Sequence, residues 1–343
     1  SRIPAVMEMP YNDIVRKFID MYAGRLRNQV SFMLSACNFY MPIFEEALDA
    51  YGLPLELRYL PIIESALNPS AVSRAGASGL WQFMINTGKI YGLESNSLVD
   101  DRRDPIKATW AAARYLKEMY AIYGDWNLVI AAYNCGPGTI NKAIRRANGE
   151  TDYWKIYNYL PKETRGYVPA FIAANYVMTY YCDHNICPME TNIPASTDTV
   201  QVNKNLHFEQ IADLCNVPLD QVKSLNPQYK KSMIPGDSKP YTLRLPIEAI
   251  STFIDRQDTI YAHRADELFR NRKTVAVKDI TPATRKATTA VAGKGKPTYH
   301  TIKSGDTLSS IAGRYGVKVK DIQRWNGLSS TKIAAGKRLK IYK

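Results

Sequence analysis

Two segments of this chain repeat each other. Ile211-Ala212, Val217, Leu219, Val222 and Leu225-Asn226 line up at one constant offset with Ile311-Ala312, Val317, Val319, Ile322 and Trp325-Asn326. A repeat this short reads as a small module used twice, not as part of one large core. The second copy runs from Tyr299-His300-Thr301-Ile302 through Gly305-Asp306-Thr307-Leu308 to Ile333, Gly336 and Leu339-Lys340-Ile341. A strand, two short helices and a closing strand account for it. The first copy has Asn205-Leu206-His207-Phe208 where the second has Gly305-Asp306-Thr307-Leu308, and so reads as degenerate.

Upstream of Pro188 the texture is helical. Val15, Phe18, Ile19, Tyr22, Leu26, Val30, Met33, Leu34 and Cys37 recur at helical spacing, as one long helix or two shorter ones. A partner helix is expected across Pro42 to Leu48, closed by Gly52 and Pro54. Asp104-Pro105 opens a further helix, with Asp as N-cap and Pro at the first turn, and Trp110, Ala111, Ala112, Ala113, Leu116 and Met119 on a packing face. Asp125-Trp126 opens another, which runs into Tyr133-Asn134 and stops at Gly136-Pro137. Helical patterning resumes from Tyr153 to Tyr181, interrupted between Pro161 and Pro169.

At 343 residues the chain exceeds one core of ordinary size, so several domains are expected. The longest apolar run, Tyr167 to Tyr181, is short and broken by Asn175, which excludes a membrane-spanning helix there. The formal charge of +13 suits polyanions, and no nucleic-acid or phosphate-loop signature accompanies it. Much of that excess lies near the C-terminus, where Lys273 to Pro297 is rich in Lys, Thr, Ala and Gly and reads as a flexible basic linker. Five cysteines leave one odd; Cys182 and Cys187 either close a small disulfide loop or stay free thiols. With His184 between them they make a weak metal pattern, so no metal or cofactor is expected. Cys135 reads as a small buried thiol.

The stretch that carries chemistry is Tyr59-Leu60-Pro61-Ile62-Ile63-Glu64-Ser65-Ala66-Leu67-Asn68-Pro69. Leu60, Ile62 and Ile63 surround Glu64 with hydrocarbon, which disfavours its charged form. At the C-terminal end of a helix stopped by Asn68-Pro69, the macrodipole acts in the same direction. Glu64 is therefore either a capped, solvated helix-end glutamate or an acid kept protonated for proton transfer.

Two downstream motifs choose between these roles. Ser73-Arg74-Ala75-Gly76-Ala77-Ser78-Gly79-Leu80-Trp81-Gln82-Phe83-Met84 and then Ala131-Ala132-Tyr133-Asn134 come after Glu64-Ser65 in the order of a known signature. The set resembles the lytic transglycosylases with a goose-lysozyme-like fold, and Leu53 to Pro61 resembles their membrane-bound D branch. The resemblance covers roughly the first half of the chain. It implies a glutamic acid that protonates the glycosidic oxygen between N-acetylmuramic acid and N-acetylglucosamine. The carboxylate then takes the proton of the muramic 6-hydroxyl, closing a 1,6-anhydro ring without water.

Carried over by position, Glu64 is the acid/base. Ser73 and Tyr133 surround the glutamate and the substrate N-acetyl group, and Gln82 and Met84 line sugar subsites. Asn134 holds the carboxyl or a substrate amide, and Tyr167 hydrogen-bonds the glutamate. Hydrolytic glycosidases need a second carboxylate. Asp100, Asp101, Asp104 and Asp125 read more simply as turn and cap residues. The alternatives are a lysozyme-type muramidase and an idle peptidoglycan-binding protein.

The repeated module resembles a LysM domain, a βααβ unit that binds N-acetylglucosamine-containing chains. Gly305, Asp306, Thr307, Leu308 and Asn326 match its glycan-binding motifs. The expected architecture is multidomain: a mainly α lysozyme-like catalytic domain followed by small α+β LysM modules. The boundaries read as a helical brace over 1–50, the catalytic domain over 51–190, and a degenerate LysM-like module over 198–247. A helix and linker over 248–297 and a LysM domain over 298–343 complete the chain. The expected partner is peptidoglycan glycan strands, not nucleic acid. The expected location is the periplasm, with association to the outer membrane through a lipid anchor and any oligomeric state left open.

Overall fold

Asn12 starts the first helix, α1 (Asp13–Ala23), its side chain accepting from the backbone N–H of Ile14 and Val15, both at 3.0 Å. There follow α2 (Arg27–Ala50), α3 (Leu60–Ser65), α4 (Ile85–Ile90), α5 (Pro105–Tyr123), α6 (Trp126–Cys135), α7 (Pro137–Arg146), α8 (Tyr153–Ile156) and α9 (Lys162–Thr179). The structure is a computed structural model and describes residues 6–191, 193–269, 279, 297–303, 305–328, 331 and 333–342. The chain divides into two units, Ser1–Ile280 and Thr281–Lys343.

In the first unit α1 packs on α9 and α2 on α5. Val15, Phe44 and Leu48 thus share one core with Leu57, Leu60, Trp81 and Phe171. Asp104 caps α5 and Asp125 caps α6, as their positions in the sequence predict. Gly136, at φ 80°, ends α6. Ala108, Ala111, Ala112 and Ala113 are buried on α5, whereas Trp110 turns outward.

Two helices differ from expectation. No separate helix begins at Pro42: α2 runs through it, and α9 runs through Pro169. A proline inside a helix costs about 3 kcal/mol in isolation. Here the flanking turns bury Tyr40, Phe44 and Leu48 in one case and Val168, Phe171 and Ile172 in the other, and that burial outweighs the lost donor.

Beyond residue 196 the first unit continues as β1 (Thr197–Val202), β2 (Asn205–His207), α10 (Phe208–Cys215), α11 (Leu219–Leu225), β3 (Met233–Pro235) and β4 (Tyr241–Pro246). β1 pairs antiparallel with β4, Val202 opposite Tyr241, and β2 pairs with β3. The helical segment after Pro246 is broken into α12 (Ile247–Asp255), α13 (Gln257–Ala262) and α14 (Ala265–Leu268). Ala249, Phe253 and Ile260 are buried in this module's own core, so 248–262 packs on the module. The basic stretch from Lys273 to Pro297 lies outside the described residues except at Asp279 and Pro297.

The second unit contains β5 (Thr298–Thr301), α15 (Leu308–Tyr315), α16 (Val319–Asn326) and β6 (Arg338–Ile341), with β5 and β6 antiparallel. This is the βααβ order read from the repeat. Ile302, Leu308, Ile311, Ile322, Trp325, Leu339 and Ile341 form its core.

Candidate active site

Glu64 lies on the last turn of α3, after the buried Leu60, Pro61 and Ile62. The helix stops two residues before Asn68-Pro69, because Ala66 and Leu67 take left-handed conformations at φ 51° and 59°. Ser65 fixes this end: its hydroxyl is 3.0 Å from the carbonyls of both Pro61 and Leu80. The loop following Glu64 is thereby tied to the Gly79–Gln82 turn.

That turn is held from beneath by Arg102. Its Nη1 donates to the carbonyls of Gly76 (2.8 Å) and Phe83 (2.9 Å), while Nε and Nη2 form a fork on the Asp100 carboxylate at 2.9 and 2.8 Å. Burial alone would raise the Asp100 pKa, but Arg102 holds it below its ordinary value. Gly79, at φ +86°, passes so close that a Cβ there would lie 1.7 Å from the Arg102 carbonyl oxygen. Trp81 is fully buried, its indole N–H 2.9 Å from the Thr109 hydroxyl.

Taken as a whole residue, Glu64 is half-buried. Burial raises its pKa to about 7; the Tyr167 hydroxyl works against that shift, and the charge of Glu163 adds to it. Tyr167, on α9, donates to Glu64 Oε1. Its own pKa is raised well above the ordinary value by burial and by Glu64, so the phenol keeps its proton. With Oε1 accepting from the phenol, the acidic proton of Glu64 belongs on Oε2. Tyr133, at the end of α6, donates to the Trp81 carbonyl at 2.7 Å, and its pKa is raised by burial and then by Glu64.

The structure thus brings Tyr167 and Tyr133 to Glu64. The other positions expected around it are held by different partners. Ser73 accepts from the Ala77 N–H at 3.0 Å in an exposed turn. Gln82 donates to the carbonyls of Gly79 (2.8 Å) and Ala71 (3.3 Å), which makes it a strut of the turn. Asn134 Oδ1 accepts from the Thr164 hydroxyl at 2.9 Å. Met84 stands exposed before α4.

Sequence reading missed Glu163, four residues before Tyr167 and therefore on the same side of α9. The spacing was available, but the motif around it read only as a break in the helix. It also missed Tyr91 and Tyr115, whose rings continue from Tyr133 with centroids 5.4 Å (Tyr115–Tyr133) and 5.3 Å (Tyr91–Tyr115) apart. Such partly exposed rings offer apolar faces to a sugar. Cys182 and Cys187 are free and exposed, and burial pushes the Cys135 thiol up.

In the second unit the motif residues build the loop. Gly305 turns at φ 89°, and Asp306 accepts from the Lys303 N–H at 2.9 Å and lies 2.9 Å from His300 Nε2. Thr307 caps α15 in a reciprocal pair with Ser310, and Leu308 is buried. Among the described residues a groove of about 480 Å³ opens on this unit, lined by Asn326 with Ile302, Leu328, Ile333 and Leu339 but not by Gly305, Asp306, Thr307 or Leu308.

Three family models match the chain: a transglycosylase SLT domain over 41–156, the LysM-like domain of lytic transglycosylase MltD over 196–262, and a LysM domain over 300–341. Membrane-bound lytic murein transglycosylase D of Escherichia coli K12 is 31% identical over 339 residues, 98% of this chain and 70% of that protein. The soluble lytic murein transglycosylase of the same strain is 32% identical over 124 residues, 34% of this chain and 19% of that protein. Among solved structures, the 70 kDa soluble lytic transglycosylase of E. coli aligns with a TM-score of 0.36 and 28% identity, over 42% of this chain and 24% of that one.

Proposed function

This chain belongs to the lytic murein transglycosylases of the membrane-bound D type, and from that premise we propose that Glu64 cleaves the bond between N-acetylmuramic acid and N-acetylglucosamine by itself. The observation that carries the reading is a carboxyl whose Oε1 is held by Tyr167 and whose pKa burial raises to about 7. The Oε2 proton passes to the glycosidic oxygen as the bond from the muramic C1 to that oxygen breaks. The muramic 6-hydroxyl then bonds to C1, and its proton returns to Glu64. No water is consumed, the acid is regenerated, and the product ends in a 1,6-anhydro ring.

In this reading Tyr167 fixes the orientation of the carboxyl, while Ser65 and Tyr133 hold the turn that faces it. Ser73, Gln82, Met84 and Asn134 act on the sugars or on the turn around them. The LysM domain indicates peptidoglycan binding, and the homology indicates the bacterial cell envelope. We place its action in the periplasm. No helix among the described residues is long and apolar enough to cross a membrane.

One observation favours a second reading. Glu163 is a carboxylate within electrostatic reach of Glu64, and a lysozyme-type hydrolase would use such a group to activate water. Glu64→Gln separates enzyme from binder: the variant should sediment with purified peptidoglycan as the parent does and release no soluble fragments. Release at the parental rate would remove Glu64 from the chemistry.

A further inference from the structure

The two LysM-type modules share an internal clamp, which allows their surfaces to be compared position by position. In the C-terminal module Asn326 Oδ1 accepts from the Lys340 N–H (2.7 Å), and Nδ2 donates to the carbonyls of Lys340 (2.7 Å) and Ile322 (2.9 Å). In the first module Asn226 does the same with Arg244 (2.8 Å each way) and Val222 (2.9 Å). Aligning the two modules by the repeat and the clamp sets Val202, Gln228 and Leu243 against Ile302, Leu328 and Leu339, which line a groove in the C-terminal module.

In the first module a segment of the catalytic domain packs beside Gln228. Leu98 and Val99, 4% and 0% exposed, belong to the module's hydrophobic core. Around them the backbone forms one isolated antiparallel bridge, Val99 opposite Tyr229: Asp100 N–H donates to the Gln228 carbonyl (2.9 Å) and Lys230 N–H to the Leu98 carbonyl (2.8 Å). Lys230 Nζ donates to the Asn96 carbonyl at 2.7 Å. Lys239 Nζ and the Tyr241 hydroxyl reach the Glu94 carboxylate at 2.6 and 3.2 Å. Beside Gln228 lies a pocket of about 110 Å³ that Asp104 to Lys107 of the catalytic domain also line, against about 480 Å³ for the groove in the other module. That is below the roughly 300 Å³ at which ligand pockets begin.

The same segment leads to the active site. Lys230 Nζ lies 3.7 Å from the Asp100 carboxylate, which holds Arg102, which in turn holds Gly76 and Phe83. Between those two residues lie the carbonyls of Leu80 and Trp81, which receive Ser65 and Tyr133 beside Glu64. We propose that the first LysM-like module is a brace: its glycan groove is closed by residues 94–100 of the catalytic domain, and Lys230 is a positioning residue for the active-site turn.

The inference rests on Glu64 being the acid, and its test separates the two. On soluble uncrosslinked glycan strands, Lys230→Ala in the full chain should lower kcat roughly tenfold, because a displaced catalytic turn costs rate even far from the perturbation. KM should stay within about twofold and the alkaline limb of the pH–rate profile should move, while Lys230→Arg restores most of the rate. In parallel, hydrogen exchange of the unmodified protein with a β-1,4-linked N-acetylglucosamine hexamer should slow amides near Leu328 and Leu339 and leave those over 226–243 unchanged. A folded Lys230→Ala protein with parental kcat and pH profile would overturn the brace, and protection over 226–243 would overturn the closed groove. Activity persisting in Glu64→Gln would instead fault the assignment of the acid.

Discussion

Replacing Tyr167 by Phe removes one hydroxyl from a buried position and keeps the ring. That hydroxyl donates to Glu64 Oε1, and its effect on the Glu64 pKa is to lower it against the larger effect of burial. A hydrogen bond to a charged group is worth about 1.5–3 kcal/mol and to a neutral one about 0.5–1.5. The carboxylate therefore loses about 1–1.5 kcal/mol more than the neutral acid, which is about one pKa unit. Starting from about 7 in the parent, the alkaline limb of activity should move up to about 8. Below that limb the rate should fall about fivefold, because the carboxyl loses the bond that orients it.

Stability gives a second readout of the same change. The folded-state pKa of Glu64 is raised from 4.5 to about 7, so its favourable contribution is full below the lower value and is lost as pH rises through about 7. Tyr167→Phe should therefore destabilise more at about pH 8.5, where the carboxylate needs the donor, than at about pH 5. The assay is the initial rate of soluble fragment release across pH, with melting temperatures at both ends. A limb that stays at its parental position or moves down would refute the geometry assigned to Tyr167 and Glu64.

Glu163→Gln should do the opposite, moving the alkaline limb down by a fraction of a unit, since its charge raises the Glu64 pKa; the same pH–rate profile reads it. Gly79→Ala should destabilise the catalytic domain by at least about 2 kcal/mol in denaturant melts, because φ +86° and the Arg102 carbonyl at 1.7 Å leave no place for a Cβ. Asn326→Ala removes three hydrogen bonds from the clamp of the C-terminal module and should cost that unit about 2–3 kcal/mol. Weaker retention on purified peptidoglycan, with catalysis on soluble strands unchanged, is the expected functional result.

Local signals in this sequence translated well into structure. Asp104-Pro105, Asp125 and Gly136 cap or stop helices because each acts on backbone groups within a few residues. The repeat anticipated the βααβ module because its apolar spacing sets both helices and the core beneath them. The placement of Glu64 at a helix end and its raised pKa were legible for the same reason: its apolar neighbours sit in the same short helix. Pro42 and Pro169 misled, since the burial that carries each helix through its proline comes from partners far along the chain. Arg102, the pairing of 98–100 with 228–230, and the approach of Glu163 to Glu64 join distant segments and leave no periodic trace.

The central claim is that the substrate's own hydroxyl, not water, ends the reaction. Digesting purified peptidoglycan in water labelled with heavy oxygen, followed by mass spectrometry of the released fragments, tests it directly. The account predicts 1,6-anhydro ends, lighter than reducing ends by one water and free of label, with none released by Glu64→Gln. Labelled reducing ends would contradict it and would make Glu163 the first residue to examine as the base that activates water.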